Sequence, residues 1–534
     1  MRLAVLILCV FACQTVFGQS TVKTIVDKGE AQDVFYSGGK WETKDGALVK
    51  SGEGHAVYAR YGFLPGDFRV KARLTIDEFH SSSASFEFDR NRFGFDGGRK
   101  KMFFVEGTFF GRPHFISPAL NKLKPGEAFD FEVVRKGRFI VFKINNEELW
   151  RTRYNEEPVS FIGFRPWRSG MKIESFSLEG TITDMPEFRS VFPRGEQNVR
   201  HYRKPALLRT SKGSLLAFGE ARHTSRHDKG DSDLVFRRST DKGESWSKIE
   251  TIHPDEGEEI VSFGTACPVQ DKESGRIWLF YTRNKTDVLL SWSDDDGQSW
   301  AAPSNMTSTL CQTNWTSVIT GPSVGIQLER GEHAGRLIVP AAHIEPNKDA
   351  KVRRAHVFYS DDQGKTWQSG GSAGNHTWEA QAVELVDGGI MMNMRNHAYI
   401  DGGEKSKRQR RVVATSKDGG LTWGQLIYEE QLQDPRSQAS IVRAMWPGDG
   451  QRGLLLFSNP ADRDELHWLT LRSSTNEGRG WTNGTPIHPK GSYSSLSPRG
   501  DGAVDCLFES SSSILFTRIE LNKAAEPAES PAVQ

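Results

Sequence analysis

Hydrophobic and polar residues alternate along much of the chain, and this alternation predicts a protein built from β-strands. From Phe68 to Asp77 every second residue is apolar and the residues between them are mostly charged, the pattern of a strand with one buried face. Phe129–Val133 and Phe139–Ile144 repeat the pattern on either side of a turn at Lys136 and Gly137. No convincing helical periodicity accompanies these strands, so we expect residues 20–185 to form an all-β sandwich.

Beyond residue 200 the alternation becomes a repeat. An octapeptide of the form Ser-x-Asp-x-Gly-x-x-Trp occurs five times, with Asn476 in place of Asp in the last copy. The copies begin at Ser239, Ser293, Ser360, Ser416 and Ser474. Intervals of about 54 to 67 residues suit one four-stranded propeller blade each. Five such blades and a closing set of strands predict a six-bladed β-propeller over residues 201–523.

The octapeptide has a mechanical role that explains its residue types. The Asp accepts N–H bonds within a hairpin turn, the Gly adopts a positive φ angle, and the Trp packs back across the turn. We therefore interpret these Asp residues as structural and do not consider them candidates for catalysis.

The two ends of the chain differ from its interior. Residues 1–19 resemble a signal peptide: Arg2 is followed by an apolar run that is too short to span a bilayer, and Val16-Phe17-Gly18 offers a cleavage site. We expect a secreted or periplasmic protein, with lipoprotein anchoring through Cys13 as the less favoured alternative. Residues 186–200 are predicted to be a linker, and residues 524–534 a disordered tail.

Composition narrows the choice of function. A net charge of +1 gives no reason to expect nucleic acid or a membrane surface as partner. The three cysteines beyond the leader, Cys267, Cys311 and Cys506, are odd in number and lack metal-ligand spacing. No disulfide framework, metal or cofactor is therefore expected.

Several motifs between the repeats carry a family resemblance. They are Tyr202-Arg203-x-Pro-Ala-Leu-Leu, Glu220-x-Arg222 followed by Asp228-x-Gly, Trp378-Glu379, Asn393-Met394-Arg395-Asn396, Gly491-Ser492-Tyr493-Ser494 and Leu507-Phe508-Glu509. Their order, together with the octapeptides, resembles the sialidases, in which the octapeptide is called the Asp-box. The first domain resembles, in style only, the concanavalin-like domains attached to many carbohydrate-active enzymes.

The resemblance implies catalytic roles for three residues. Tyr493 would be the nucleophile and Glu379 the carboxylate that takes its proton, while Asp228 would be the acid/base. Asp231 and Asp233 are alternatives for the acid/base, although the spacing to the first Asp-box favours Asp228. A neutral phenol suits a sugar whose carboxylate lies on the anomeric carbon, because that charge would repel a carboxylate nucleophile.

The resemblance also implies a set of residues that bind the substrate. Arg203 and Arg395 would bind the sugar carboxylate, Glu509 would support Arg203, and Arg222 accompanies them. Bidentate charge-assisted bonds explain why these are arginines.

This sequence departs from the family pattern at three places, since Lys204 replaces Ile, Ser495 replaces Asp, and Leu466 stands where a third arginine is usual. We assign that third role to Arg463, the nearest basic residue.

Together these observations predict a secreted retaining exo-glycosidase that releases terminal α-linked sialic acid from glycans, glycoproteins or glycolipids. Two alternatives remain open: an exo-glycosidase for another acidic sugar, and a non-catalytic propeller that binds glycans. In the sandwich, the aromatic residues either form a sugar-binding platform or belong to the core, and alternation favours the core. They are Phe103, Phe104, Phe109, Phe110, Trp150 and Trp167.

Overall fold

The chain divides into two compact units, Met1–Met185 and Pro186–Gln534. The computed structural model describes residues 20–521 except 38–39, 52–55, 80–83, 99, 108, 155–157, 167–169, 228–229, 253–259, 348–349, 399–408 and 449. The predicted signal peptide and the predicted tail therefore both lie outside the described residues. Among the described residues, no helix is long and apolar enough to cross a membrane.

The first unit consists of two antiparallel sheets that pack face to face. The nine-stranded sheet comprises Thr21–Asp27, Glu30–Ala31, Lys40–Lys44, Ala47–Ser51, Tyr61–Ile76, Ala128–Lys136, Phe139–Ile144, Glu147–Arg153 and Met171–Asp184. The seven-stranded sheet comprises Val34–Tyr36, Val57–Ala59, Ala84–Phe88, Asn91–Asp96, Met102–Gly107, Gly111–Ala119 and Gly163–Arg165. A short 3-10 helix, Leu120–Lys122, follows the second sheet's edge strand.

Aromatic rings from the two sheets meet in the core of this unit. The ring of Phe93 lies 4.7 Å from that of Phe142, and the ring of Phe86 lies 5.4 Å from that of Phe131. Phe93 and Phe86 belong to one sheet, and their partners belong to the other. This packing confirms the predicted β-sandwich.

The aromatic residues considered for a sugar platform lie in different environments. Phe103 is fully buried in the core and Phe104 is buried, whereas Phe109 exposes 39% of its surface. Trp150 packs partly buried against the core, and Trp167 lies outside the described residues. Glycan binding by this unit stays a prediction.

The second unit is a propeller of six antiparallel sheets, which confirms the predicted fold class. Blade 1 comprises His201–Arg209, Leu215–Arg222, Ser232–Ser239 and Glu250–Thr251. Blade 2 comprises Phe263–Gln270, Ile277–Arg283, Asp287–Ser293 and Ser304–Asn305. Blade 3 comprises Ser317–Thr320, Ile326–Gln327, Leu337–Asn347, Ala350–Ser360 and Gln368–Ser369. Blade 4 comprises Thr377–Glu384, Ile390–Asn396, Arg410–Ser416 and Ile427–Gln433. Blade 5 comprises Ser440–Met445, Leu454–Pro460, Leu469–Ser474 and Thr485–His488. Blade 6 comprises Gly491–Pro498, Ala503–Ser510, Ser513–Glu520 and Arg189–Phe192. Two single-turn helices, Glu196–Asn198 and Thr307–Leu310, lie outside the sheets.

Blade 6 is completed by a strand from the start of the propeller unit. Arg189–Phe192 pairs antiparallel with Ser513–Glu520, so the ring closes by hydrogen bonds between its two ends. Val191 and Phe192 are fully buried in the cluster that joins blades 6 and 1. The interpretation of residues 186–200 as a linker is therefore corrected, because a four-residue strand without sequence periodicity is recognisable only by its partner.

The five octapeptides form the turns expected of them. In the first, Ser239 Oγ donates to Asp241 Oδ1 over 2.7 Å, and the backbone N–H of Ser245 donates to the same oxygen over 2.9 Å. Gly243 has a φ angle of 88°, and Trp246 packs against the cluster shared by blades 6 and 1. In the last copy Asn476 Oδ1 accepts the equivalent hydroxyl bond over 2.8 Å, so an amide can replace the carboxylate.

Candidate active site

The candidate residues gather at one end of the propeller because of blade topology. Strands within a blade are antiparallel, so the start of the first strand and the end of the second lie at the same end. Arg203, Glu379 and Tyr493 lie near the starts of first strands, and Arg395 and Glu509 lie near the ends of second strands. The Asp-box turns follow third strands and therefore lie at the opposite end, away from the site.

Local irregularities of the sheets accompany the three residues near the starts of first strands. The strand register shifts at Glu379 in blade 4, within the stretch that carries Tyr493 in blade 6, and directly after Arg203 in blade 1. Such β-bulges re-aim a side chain and are common next to active sites. The first strands of neighbouring blades run side by side, as in the bond from Leu207 N–H to Ser495 Oγ over 2.9 Å.

Tyr493, Glu379 and Arg395 form a buried hydrogen-bonded group. The Tyr493 hydroxyl donates to the Glu379 carboxylate, with oxygen distances of 2.8 and 2.9 Å. Arg395 Nη1 donates to Glu379 Oε2 over 2.7 Å and to the Tyr493 hydroxyl oxygen over 2.8 Å. Burial would lower the pKa of Arg395, but Tyr493 and Glu379 raise it above its usual value, so this guanidinium stays charged. A carboxylate that can accept the phenol proton and a cation beside the phenol oxygen together make an activated tyrosine.

Arg203 is oriented by Glu509 from the neighbouring blade. Its Nη2 and Nε atoms donate to Glu509 Oε2 over 3.2 and 3.3 Å, and its guanidinium lies 5.2 Å from the centre of the Tyr493 ring. The other carboxylate oxygen of Glu509 accepts the backbone N–H of Lys204 over 2.7 Å. Ser492 Oγ adds a further bond to Glu509 over 2.9 Å. The direction of the Arg203 side chain is thus set by a nearly buried carboxylate.

A cavity of about 550 Å³ opens beside these residues. Its described lining consists of Arg203, Arg226, His227, Arg395, Arg436, Leu466 and Tyr493. Four of these described residues are arginines, so positive groups predominate in this part of the lining although the whole chain carries a net charge of only +1. An anionic ligand of the size of a monosaccharide suits this cavity.

Arg222 is placed differently from the expectation that it binds substrate. Its Nε donates to Glu220 Oε2 over 2.9 Å, and another of its nitrogens donates to the Arg226 carbonyl oxygen. Lys204 Nζ lies 3.2 Å from the other oxygen of Glu220, which also accepts the backbone N–H of Thr265. All three ionic side chains are buried, and none is among the described residues that line the cavity. Glu220 therefore links blade 1 to blade 2 and contacts Arg222, and substrate binding by Arg222 stays a prediction.

The acid/base candidates follow the second strand of blade 1 in the sequence, and Asp233 belongs to the third strand, Ser232–Ser239. Asp228 lies outside the described residues, so its role stays a prediction. Its neighbour His227 lines the cavity. Asp233 is bonded to His223 Nε2 over 2.9 Å, and neither Asp233 nor Asp231 is among the described lining residues.

The third arginine is also placed differently from the expectation. Arg463 is exposed on the loop between the second and third strands of blade 5 and is not among the described residues that line the cavity. Leu466 from the same loop does line it, and so does Arg436 from the loop between blades 4 and 5. Substrate binding by Arg463 stays a prediction.

Sequence reasoning missed Arg226 and Arg436. Both follow a strand that ends at the site end of its blade, and this topological rule could have found them once the blades were delimited.

Comparisons with known proteins find matches to the repeat-containing part of this chain. Residues 213–506 match the family model described as a BNR repeat-like domain. A sialidase of Micromonospora viridifaciens is 31% identical over 350 residues, which cover 61% of this chain and 52% of that protein. A sialidase of Bacteroides fragilis (strain YCH46) is 28% identical over 353 residues, which cover 59% of this chain and 61% of that protein. The matches thus span only 52% and 61% of these two curated relatives.

Solved structures share the fold. The Hadza microbial sialidase Hz136 superposes with a TM-score of 0.57 at 22% identity, covering 86% of this chain and 94% of that one. The intramolecular trans-sialidase from Ruminococcus gnavus, solved with oseltamivir carboxylate, superposes with a TM-score of 0.53 at 18% identity and covers 62% of this chain and 97% of that one. At these identities the similarity concerns the architecture.

Proposed function

The chain belongs to the sialidase family built on BNR repeats, and on this premise we propose that it is a secreted retaining exo-α-sialidase. Its substrates are glycans, glycoproteins or glycolipids that end in an α-linked sialic acid. Export rests on the leader-like residues 1–19, and the acidic substrate rests on the arginine-lined cavity.

The observation that carries this proposal is the contact between Tyr493 and Glu379. A tyrosine that only packs in a core has no need of a carboxylate 2.8 Å from its hydroxyl and a guanidinium at the same distance. The carboxylate can take the proton while the phenol oxygen attacks a carbon, and the guanidinium stabilises the negative charge that develops on that oxygen.

We infer the following reaction from the contacts of Tyr493 and from the expected role of Asp228. Tyr493 oxygen forms a bond to the anomeric carbon as the bond from that carbon to the leaving oxygen breaks. Glu379 receives the phenol proton, and Asp228 protonates the leaving oxygen. Water activated by Asp228 then displaces Tyr493, which recovers its proton from Glu379. Two displacements at one carbon retain the anomeric configuration.

The substrate carboxylate explains the cations beside the nucleophile. Arg203 and Arg395 both face the cavity and approach Tyr493 from two sides, within 5.2 Å of its ring and 2.8 Å of its hydroxyl oxygen. A sugar whose carboxylate lies on the anomeric carbon would be bound by these arginines with the reacting carbon close to the phenol.

The test is release of a fluorescent phenol from an aryl α-sialoside, with the first-formed anomer followed by NMR. Tyr493→Phe should abolish turnover but should still bind an uncleavable sialic acid analogue. Tyr359→Phe is the matched control, because Tyr359 is also buried and hydrogen-bonded through its hydroxyl, to Gln368, yet lies toward the Asp-box end of blade 3. Binding of sialylated glycan by the wild-type protein without any turnover would favour the non-catalytic alternative.

A second candidate substrate class is favoured by Leu466. This apolar side chain exposes 39% of its surface and lines the cavity where the family pattern indicates an arginine. Turnover of another ulosonic or uronic glycoside in the absence of sialoside turnover would favour an exo-glycosidase for that acidic sugar.

A further inference from the structure

Three of the four arginines that line the cavity, Arg203, Arg395 and Arg436, differ in their partners. Arg203 Nη2 lies 3.2 Å from Glu509, and Arg395 Nη1 lies 2.7 Å from Glu379, so each already faces a carboxylate. Arg436 lines the same cavity and is exposed. Within the part of the chain that the structure describes, no carboxylate pairs with it. Its full charge is therefore available to a ligand.

The backbone that carries Arg436 is held from both sides. Arg436 has a φ angle of 66°, a left-handed conformation that residues other than glycine seldom adopt and that persists only where the surroundings impose it. The buried carboxylate of Asp434 accepts the backbone N–H of Ser437 over 3.1 Å. Buried Arg411 donates to the Ser437 carbonyl oxygen from the other side. This turn fixes the position from which Arg436 reaches the cavity.

The charge of Arg436 affects one side chain near the cavity, and another residue of the cavity wall carries no charge. His397 has its pKa lowered to about 2, mainly by burial and then by Arg395, Arg353 and Arg436, so Arg436 and Arg395 act on the same side chain. His397 stays uncharged and adds nothing to the cationic field. Leu466, in the next loop, supplies no charge to the cavity wall.

We propose that Arg436 binds the substrate carboxylate together with Arg203 and Arg395, and so determines specificity for an acidic sugar. The inference rests on the proposed function of the same site. It locates the third cation on the loop before the first strand of blade 5 instead of on the loop that carries Leu466.

The decisive measurement compares a charged and an uncharged ligand. An unreactive sialic acid analogue with a double bond between C2 and C3 is titrated calorimetrically, as its free acid and as its primary amide, into Tyr493→Phe enzyme with and without Arg436→Leu. We expect Arg436→Leu to weaken binding of the acid by about 10- to 100-fold, the worth of a charge-assisted hydrogen bond, and to leave the amide nearly unchanged. Equal losses for both ligands, or no loss for either, would overturn the proposal.

Moving the positive charge from position 436 to position 466 distinguishes a binding role of Arg436 from a structural one. In active enzyme, Arg436→Leu should raise KM for an aryl α-sialoside, and the added change Leu466→Arg should recover part of the loss from the opposite loop. The KM of Arg436→Lys should lie between those of the wild-type enzyme and Arg436→Leu, because a point charge cannot bind a carboxylate bidentately. Arg452→Leu is the matched control, since this exposed arginine lies in the loop between the first and second strands of blade 5, at the opposite end.

The outcomes distinguish this inference from the proposed function. Wild-type enzyme that neither cleaves the sialoside nor binds the acid overturns both. Active wild-type enzyme whose KM does not change with Arg436→Leu, while its melting temperature is also unchanged, overturns the assignment of Arg436 alone.

Discussion

Glu509 Oε2 accepts two hydrogen bonds from Arg203, a residue 306 positions earlier in the chain, over 3.2 and 3.3 Å. The contact exists because blade 6 is the neighbour of blade 1 in the closed ring. The same carboxylate also accepts the backbone N–H of Lys204 over 2.7 Å. One side chain therefore joins the last blade to the first and orients a cavity arginine.

Replacing Glu509 should separate these two effects. Glu509→Ala removes the bonds from the Lys204 N–H and the Arg203 guanidinium to this carboxylate and should destabilise the protein by about 1–3 kcal/mol. Glu509→Gln keeps an acceptor for the backbone and should cost less stability, yet both variants should raise KM because Arg203 loses its charged partner. Urea unfolding and sialoside kinetics measure the two effects. An unchanged KM in both variants would contradict the orienting role.

Asp228 and Tyr493 should respond differently to the leaving group. An aryl leaving group of low pKa hardly needs a proton, whereas a sugar alcohol does. Asp228→Ala should therefore spare aryl α-sialosides and reduce cleavage of natural glycosides by about 10²–10⁴-fold. Tyr493→Phe should impair both, because it removes the nucleophile. Equal losses of kcat/KM on the two substrates for Asp228→Ala would direct the assignment to Asp231 or Asp233.

The first Asp-box should contribute to stability in a pH-dependent way. Hydrogen bonds from the side chain and backbone of Ser245, and then from Ser239, lower the pKa of Asp241 to about 2. A carboxylate whose pKa is lower in the folded than in the unfolded state, where it is about 3.9, stabilises the fold above that value. This stabilisation is lost as the pH falls toward about 2.

The melting temperature measured between pH 5 and pH 2 tests this prediction. Asp241→Asn should flatten the decrease, because an amide does not titrate and Asn476 occupies the same position in the last copy. Asn476→Asp is the matched control and should steepen the decrease. Parallel curves for all three proteins would show that the box carboxylate is not coupled to folding. Activity at neutral pH should be similar in each, because the boxes lie at the end opposite the site.

Ring closure should depend on Phe192. This residue lies in the strand that completes blade 6, and it is fully buried. Phe192→Ala should lower the free energy of unfolding by about 3–5 kcal/mol, the usual cost of removing a buried phenyl ring. Ser190→Ala, an exposed position in the same strand, is the control and should have little effect. Equal unfolding curves for the two variants would mean that the closing strand does not hold the ring.

Local patterns determined the elements of this fold. The alternation from Phe68 onward predicts the strand that the structure places at Tyr61–Ile76, because a half-buried strand exposes every second side chain. The octapeptides mark their own turns, since Asp241 and Gly243 act within a few residues of each other. Counting these five turns and adding a closing set of strands predicted six blades. The site residues required the family resemblance as well, because nothing local distinguishes Tyr493 or Glu379 from a packing residue.

Only the tertiary structure decided which cations face the cavity. The fold places the guanidinium of Arg222 against Glu220 and the Arg226 carbonyl oxygen, which the sequence motif does not indicate. Arg436 enters the cavity because Asp434 and Arg411 clamp its turn in a left-handed conformation. Likewise the closing strand Arg189–Phe192 exists only through its pairing with Ser513–Glu520. Each outcome depends on how side chains and strands meet in the folded chain, and the alternation of neighbouring residues carries no information about such contacts.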